Sequence, residues 1–231
     1  YAVIKIMVKL TLIQGDCRNA LKKIPENSVD CVILDPPYNL KYSSDFDYPI
    51  VLPEEYIEDI DRVAKENCTV WFFCMFYDCD LISVFKKYFN LVDMIIWYKP
   101  NKYNIIPNRY PNDVELCFRF TRGNPTFNRE KRTLKQIKEY PLKFKFTREI
   151  PFKITPKPLE LIEELISVST NEGDWVLDPF LGSGTTMEAC LRLKRNCYGI
   201  EINPKCIPII KKRLNWNSNL GDVEFEFLNM G

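Results

Sequence analysis

Short apolar runs alternate with amphipathic segments along most of this chain, and that alternation admits few folds. Val29–Leu34, Thr69–Met75, Leu91–Tyr98 and Cys197–Ile202 read as buried strands, of the kind a parallel sheet covered on both faces contains. Lys9–Gln14, Trp175–Leu177 and Val223–Leu228 read as further strands. Between them Cys17–Ile24, Pro53–Asn67, Asp78–Tyr88, Leu159–Val168, Thr185–Leu193 and Lys205–Leu214 read as helices. In Pro53–Asn67 the apolar residues Tyr56, Ile57, Ile60 and Val63 are spaced for one face, and Pro53 suits a first turn. Repeated strand–helix order predicts an α/β chain with a mostly parallel sheet and helices on both faces.

The pattern fails from Lys99 to about residue 150. Prolines at 100, 107, 111, 125 and 141 punctuate a basic, aromatic stretch in which only Val114–Phe120 reads as a strand. The net charge of +1 hides an asymmetry centred there. Residues 99–150 hold 13 Lys/Arg against 5 Asp/Glu, a net of +8, whereas the remainder holds 19 against 26, a net of −7. A stretch of that kind fits contact with a polyanion or a solvated basic loop region, and it reads as an insertion into one larger domain spanning 1–231.

The chain has no histidine, which excludes Ser-His and Cys-His nucleophilic machinery. None of its nine cysteines forms a CxxC pair, so no metal site is expected. Cys31, Cys74 and Cys117 sit in apolar runs and read as small core residues in a reducing compartment. Lys5 and Lys9 interrupt the opening apolar stretch, which reads as a strand region. No run approaches the roughly 18 uncharged apolar residues of a membrane span, so a cytoplasmic protein without a membrane partner is expected.

Three motifs carry chemistry. Asp35-Pro36-Pro37-Tyr38 follows a strand directly, where open α/β sheets bind ligands. Two prolines stiffen the chain and remove two N–H donors, so the tetrapeptide reads either as a strand-terminating turn or as a clamp of carboxylate, outward carbonyls and aromatic ring for a planar group bearing an NH2. Asp178-Pro179-Phe180-Leu181-Gly182-Ser183-Gly184-Thr185-Thr186 lies between a strand and a helix. Its glycines let backbone approach a ligand closely. Met187 stands where a dinucleotide fingerprint needs Gly or Ala, and the lysine of a P-loop is missing, so the ligand is neither NAD nor ATP. Glu201 ends the next strand, about 20 positions on, where an acidic side chain commonly binds ribose.

Taken in this order, the motifs resemble those of the β-class amino-group DNA methyltransferases, with the catalytic motif first, the cofactor motif second and a target-recognition region between. Gly15-Asp16-Cys17, Trp97-Tyr98-Lys99-Pro100-Asn101, Glu115 and Lys157-Pro158-Leu159-Glu160-Leu161 extend the likeness. It covers nearly the whole chain, least well over residues 121–150. The resemblance implies a Rossmann-like class I S-adenosylmethionine-dependent methyltransferase fold with a seven-stranded sheet and circularly permuted motif order. S-adenosylmethionine would meet Phe180, Gly182, Ser183 and Gly184, in the loop opened by Asp178, with Thr185 and Thr186 at its amino-acid moiety. Glu201 would hold its ribose, Asp16 its adenine end, and Lys157 would lie near its methionine carboxylate. The family often carries His-Pro where this chain has Lys153-Ile154, a departure on the methionine-side wall of the pocket.

The resemblance further implies methylation of an exocyclic amine in double-stranded DNA, with Asp35, Pro36, Pro37 and Tyr38 catalytic. Lys99, Lys102, Arg109, Arg122, Arg129 and Arg132 would meet the DNA, with Tyr103, Tyr110 and Phe127 interleaved. Asp at position 35 favours N6 of adenine over N4 of cytosine. RNA or protein methyltransferases often reverse the motif order, and a catalytically inactive nucleic-acid-binding subunit would not need Asp35 through Tyr38 intact. C5-cytosine chemistry uses a cysteine, typically in Pro-Cys, which is absent here. The sequence does not decide the recognition site, a homodimer, or a cognate restriction enzyme as partner.

Overall fold

The computed structural model describes residues 7–37, 51–102, 108, 110–129, 135–142, 156–216, 218 and 221–230, with the side chain of Tyr77 outside that set. Tyr38, Tyr103, Arg109, Arg132, Lys153 and Ile154 therefore lie outside the described residues.

In chain order the strands are β1 (Val8–Gln14), β2 (Val29–Leu34), β3 (Ala64–Cys74), β4 (Asn90–Tyr98), β5 (Val114–Arg122), β6 (Ile137–Glu139), β7 (Trp175–Asp178), β8 (Asn196–Glu201) and β9 (Val223–Asn229). The helices are α1 (Cys17–Ala20), α2 (Ile57–Val63), α3 (Ile82–Phe85), α4 (Leu159–Ser169), α5 (Thr185–Leu193) and α6 (Cys206–Arg213). All the strands join one sheet in the order β6-β4-β5-β3-β2-β7-β8-β1-β9. Among the described residues the sheet is mixed and has nine strands, not the seven expected. β5 runs antiparallel to both β3 and β4, and every other pairing is parallel.

Side-chain alternation assigns the two faces. Cys31 and Ile33 of β2 pack on the layer that holds Leu161, Ile162 and Leu165 of α4, Met187 and Ala189 of α5 and Ile210 of α6. Val32 and Leu34 point the other way, onto Cys17 and Ala20 of α1, Ile57, Ile60 and Val63 of α2 and Phe85 of α3. A strand apolar on both faces thus sits between two helical layers, as the near-continuous runs require.

One expectation is corrected. The helix read over Pro53–Asn67 breaks into a 3-10 turn at Pro53–Glu55 and α2, and the chain enters β3 at Ala64. Local propensity loses to the sheet here. Ser28 N–H donates to the Val63 carbonyl and Val29 pairs with Ala64, which draws the chain out of the helix. Within residues 99–150 the expected strand is present and two residues longer: Val114–Arg122 runs in the interior of the sheet between β3 and β4, with Cys117 and Phe120 fully buried.

Candidate active site

The sheet order places a topological switch between β2 and β7. From β2 the chain crosses to β3 on one side, and from β7 it crosses to β8 on the other. A crevice opens at the carboxyl ends of two such strands, and ligands of open α/β sheets bind there. Asp35 follows β2 and Asp178 ends β7, so both motifs read from the sequence meet at this point. Because β5 runs backwards, its first residues lie at the same edge, and Glu115 pairs with Trp97 near the end of β4.

On the β7 side, Asp178 ties the loop to itself. Its Oδ1 accepts from Phe180 N–H at 2.9 Å and its Oδ2 from Thr186 Oγ1 at 2.5 Å. Burial pushes the Asp178 carboxyl up to about 7, against the pull of those bonds. Gly182 and Gly184 adopt φ of 56° and 89°, the left-handed region where a side chain is strained. Gly182 N–H donates at 2.7 Å to Glu201 Oε2, and Asn203 N–H donates at 2.7 Å to Oε1. Burial raises Glu201 to about 7 despite them. Thr185 Oγ1 accepts from Arg213 at 2.7 Å. Phe180 is half-buried, edge-on to Tyr56 at 5.3 Å. The Ser183 hydroxyl is buried and has no hydrogen-bond partner among the described residues.

Asp16 stands beside this loop, because Gly15 N–H donates to the Glu201 carbonyl. Its carboxylate caps α1 through Arg18 N–H and is paired with the Arg18 guanidinium, which holds it below the usual carboxylate range. Arg18 in turn reaches Glu55 at 2.8 Å.

On the β2 side the structure assembles a chain of charges that no sequence motif announced. Lys157 Nζ lies 2.7 Å from Asp35 Oδ1 and 2.7 Å from Glu115 Oε1. Lys99 Nζ lies 2.7 Å from Glu115 Oε2. Trp97 flanks both ammoniums, 4.6 Å from Lys99 and 5.8 Å from Lys157, and Phe73 lies 5.0 Å from Lys157. Burial opposes ionisation of Glu115, but the two lysines overcome it and hold its carboxyl down to about 2. Burial likewise opposes the charge on Lys157, and Asp35 and Glu115 outweigh it, raising the ammonium above its ordinary range. Removing one member of such a buried set costs about 3–5 kcal/mol, because it strands the others. The available signal was Glu115, the one acid in its strand, with a Lys-Pro step on either side of it in sequence.

Two of the cations expected to meet DNA, Lys99 and Arg122, make contacts within the protein. Lys99 is only 4% exposed and committed to Glu115. Arg122 donates to the carbonyls of Asp61 and Ala64, pairs with the Asp61 carboxylate and lies over Phe89. Lys99 is thus buried, whereas the Arg122 side chain is 26% exposed. Lys102 is half-buried, and Arg129 is exposed. Tyr110 and Phe127 are exposed as well, with Arg119 stacked 4.4 Å from the Phe127 ring. Among the described residues no helix is long and apolar enough to cross a membrane.

The family model described as DNA methylase, covering N6 and N4 enzymes, matches residues 29–212. This chain belongs to the N6/N4 DNA methylase family. It is 32% identical over 238 residues to the Type II methyltransferase M.HpaI of Haemophilus parainfluenzae, which covers 90% of this chain and 75% of that protein. It is 27% identical over 240 residues to the Type II methyltransferase M2.DpnII of Streptococcus pneumoniae, covering 89% and 90%. The crystal structure of the M1.HpyAVI–SAM complex superposes with a TM-score of 0.71 at 30% identity, covering 89% of this chain and all of that one. The chain is thus a class I methyltransferase of the Type II DNA-modifying group, and S-adenosylmethionine is its cofactor. The β7 loop fits that cofactor. An orphaned Ser183 hydroxyl, left-handed glycines and a carboxylate at Glu201 leave polar groups and close backbone for a nucleoside-bearing ligand.

Proposed function

We propose that this methyltransferase modifies the exocyclic N6 amine of adenine in duplex DNA, with the target base flipped out of the helix. The reading is carried by one observation: Asp35 stands at the switch point, across from the β7 loop, with one carboxylate oxygen fixed by Lys157. S-adenosylmethionine, when bound, supplies an electrophilic methyl group on a sulfonium. The chain must do the rest.

An aromatic amine is a poor nucleophile, because its lone pair is delocalised into the ring. In this reading the Asp35 carboxylate and the Pro36 carbonyl accept the two amino hydrogens. That draws the nitrogen toward tetrahedral geometry and frees its lone pair. The catalysis is orientation and electrostatics, with no covalent intermediate. Tyr38 stacks on the flipped base, a contact worth roughly 1–3 kcal/mol against an unstacking cost of a few kcal/mol. Glu201 holds the cofactor ribose, and Phe180, Gly182 and Ser183 hold its remaining parts. Asp16 borders its adenine end, with Arg18 as the carboxylate's existing partner. Lys102 and Arg129, with Arg109 and Arg132, contact phosphates.

The test is transfer of labelled methyl from S-adenosylmethionine to unmethylated DNA, followed by nucleoside analysis. N6-methyladenine supports the reading, and N4-methylcytosine keeps the amine chemistry and overturns the base. Asp35→Ala is expected to abolish turnover with cofactor affinity intact. Loss of both together would give Asp35 a different role.

A further inference from the structure

We infer that Lys157 is a positioning residue for Asp35, braced from the interior by Glu115 and Lys99, and that its ammonium is not a ligand of the cofactor. This rests on the reading of Asp35 as the catalytic carboxylate, and it replaces the expectation that Lys157 meets the methionine carboxylate.

The charges alternate along the chain Asp35–Lys157–Glu115–Lys99, with links of 2.7 Å each. They also grade in exposure. The Lys99 and Glu115 side chains are 5% exposed, Lys157 9% and Asp35 25%. The chain therefore runs from the interior and ends at the crevice on the carboxylate that the proposed chemistry uses. A buried ion pair with a purely structural role has no reason to end there.

Backbone stiffness points the same way. Asp35, Lys99 and Lys157 each stand directly before a proline, at Pro36, Pro100 and Pro158. A residue before proline is confined to extended backbone, and Lys157 also follows Pro156. Glu115 is fixed by strand pairing with Trp97. Lys99 N–H is held further by the Asp113 carbonyl at 2.7 Å. All four side chains thus spring from constrained backbone, and the two ammoniums are packed against Trp97 and Phe73. This is the support a carboxylate needs if its orientation is to set the rate, since misplacement of about 1 Å can cost about a hundredfold.

The experiment uses the full chain and separates binding from turnover. Lys157→Met is expected to lower kcat about a hundredfold at saturating cofactor and DNA, with the calorimetric Kd for S-adenosylmethionine close to that of the unmodified protein. Lys157→Arg, which keeps a cation able to bridge two carboxylates, is expected to recover a large part of kcat. Glu115→Gln leaves one acceptor oxygen and turns an NH2 toward one of the two ammoniums, and it is expected to lower kcat less than Lys157→Met, again at unchanged cofactor affinity. A weakened cofactor Kd with unchanged kcat in Lys157→Met overturns the inference and restores a cofactor ligand. If Lys157→Met does not fold, Glu115→Gln decides, and an undiminished kcat there overturns it. Full activity in Asp35→Ala overturns the catalytic reading itself. An inactive Asp35→Ala beside a fully active Lys157→Met overturns only the positioning.

Discussion

The backbone N–H of Gly182 donates to Glu201 Oε2 at 2.7 Å, so the loop after β7 is fastened to the carboxylate that ends β8. The other oxygen, Oε1, is fastened to Asn203 N–H. Glu201→Gln offers one acceptor oxygen and turns an NH2 toward one of these donors. The expected cost is about 1–3 kcal/mol for the stranded N–H, and a fall in S-adenosylmethionine affinity of about tenfold or more, as 1.4 kcal/mol implies. Calorimetric titration beside a melting curve checks both. A lowered Tm with unchanged affinity would make Glu201 a loop fastener alone.

Thr186 tests the other end of the same loop. Its hydroxyl donates to buried Asp178 Oδ2 at 2.5 Å. Thr186→Val keeps the shape and removes the donor, so a buried carboxylate loses a partner at a cost of about 1–3 kcal/mol. Thr186→Ser is expected to keep most of the stability. Equal melting of Val and Ser variants would show that the bond adds nothing.

The two raised carboxyls give the cofactor-free protein an unusual pH dependence. Asp178 and Glu201 are both pushed to about 7 by burial, and burial raises Asp78 as well. Between the ordinary carboxylate range and about pH 7 the unfolded chain has released these protons and the folded chain still holds them. Stability therefore falls as pH rises through that window. Asp16, Glu55 and Glu115 are held low by their cationic and N–H partners and titrate below it, and there is no histidine. Tm is expected to be higher at about pH 5 than at about pH 7, and Asp178→Asn is expected to flatten the slope. A Tm that climbs across this range in the unmodified protein contradicts the assignment.

The loops of the site were legible in the sequence because each closes a strand. Asp35 and Asp178 follow apolar runs whose order already implied a sheet, and the switch between β2 and β7 brings them to one crevice. The charge chain was not legible. Lys157 is 122 positions from Asp35 in sequence, and only the reversed direction of β5 brings Glu115 to the same edge. The end of α2 was hidden for a similar reason, since the pairing of Val29 with Ala64 is decided by the sheet and not by Lys65-Glu66-Asn67. Charge in a basic stretch says nothing about burial, so the Lys99–Glu115 pair and the carbonyl contacts of Arg122 were not legible in it.

That distinction is measurable on two arginines seven residues apart. Arg122 donates to the Asp61 and Ala64 carbonyls and pairs with Asp61, joining the end of β5 to the junction of α2 and β3. Arg129 is exposed. Arg122→Ala is expected to lower stability by about 1–3 kcal/mol through stranded acceptors, and any loss of DNA affinity should follow the loss of folded protein. Arg129→Ala is expected to leave Tm unchanged and to weaken DNA binding. If Arg129 meets a phosphate, its removal reduces the slope of log affinity against log salt by about one, because one fewer counterion is released. Binding curves at several salt concentrations decide the matter. An unchanged slope in Arg129→Ala removes it from the interface, and a reduced slope in a fully folded Arg122→Ala returns Arg122 to it.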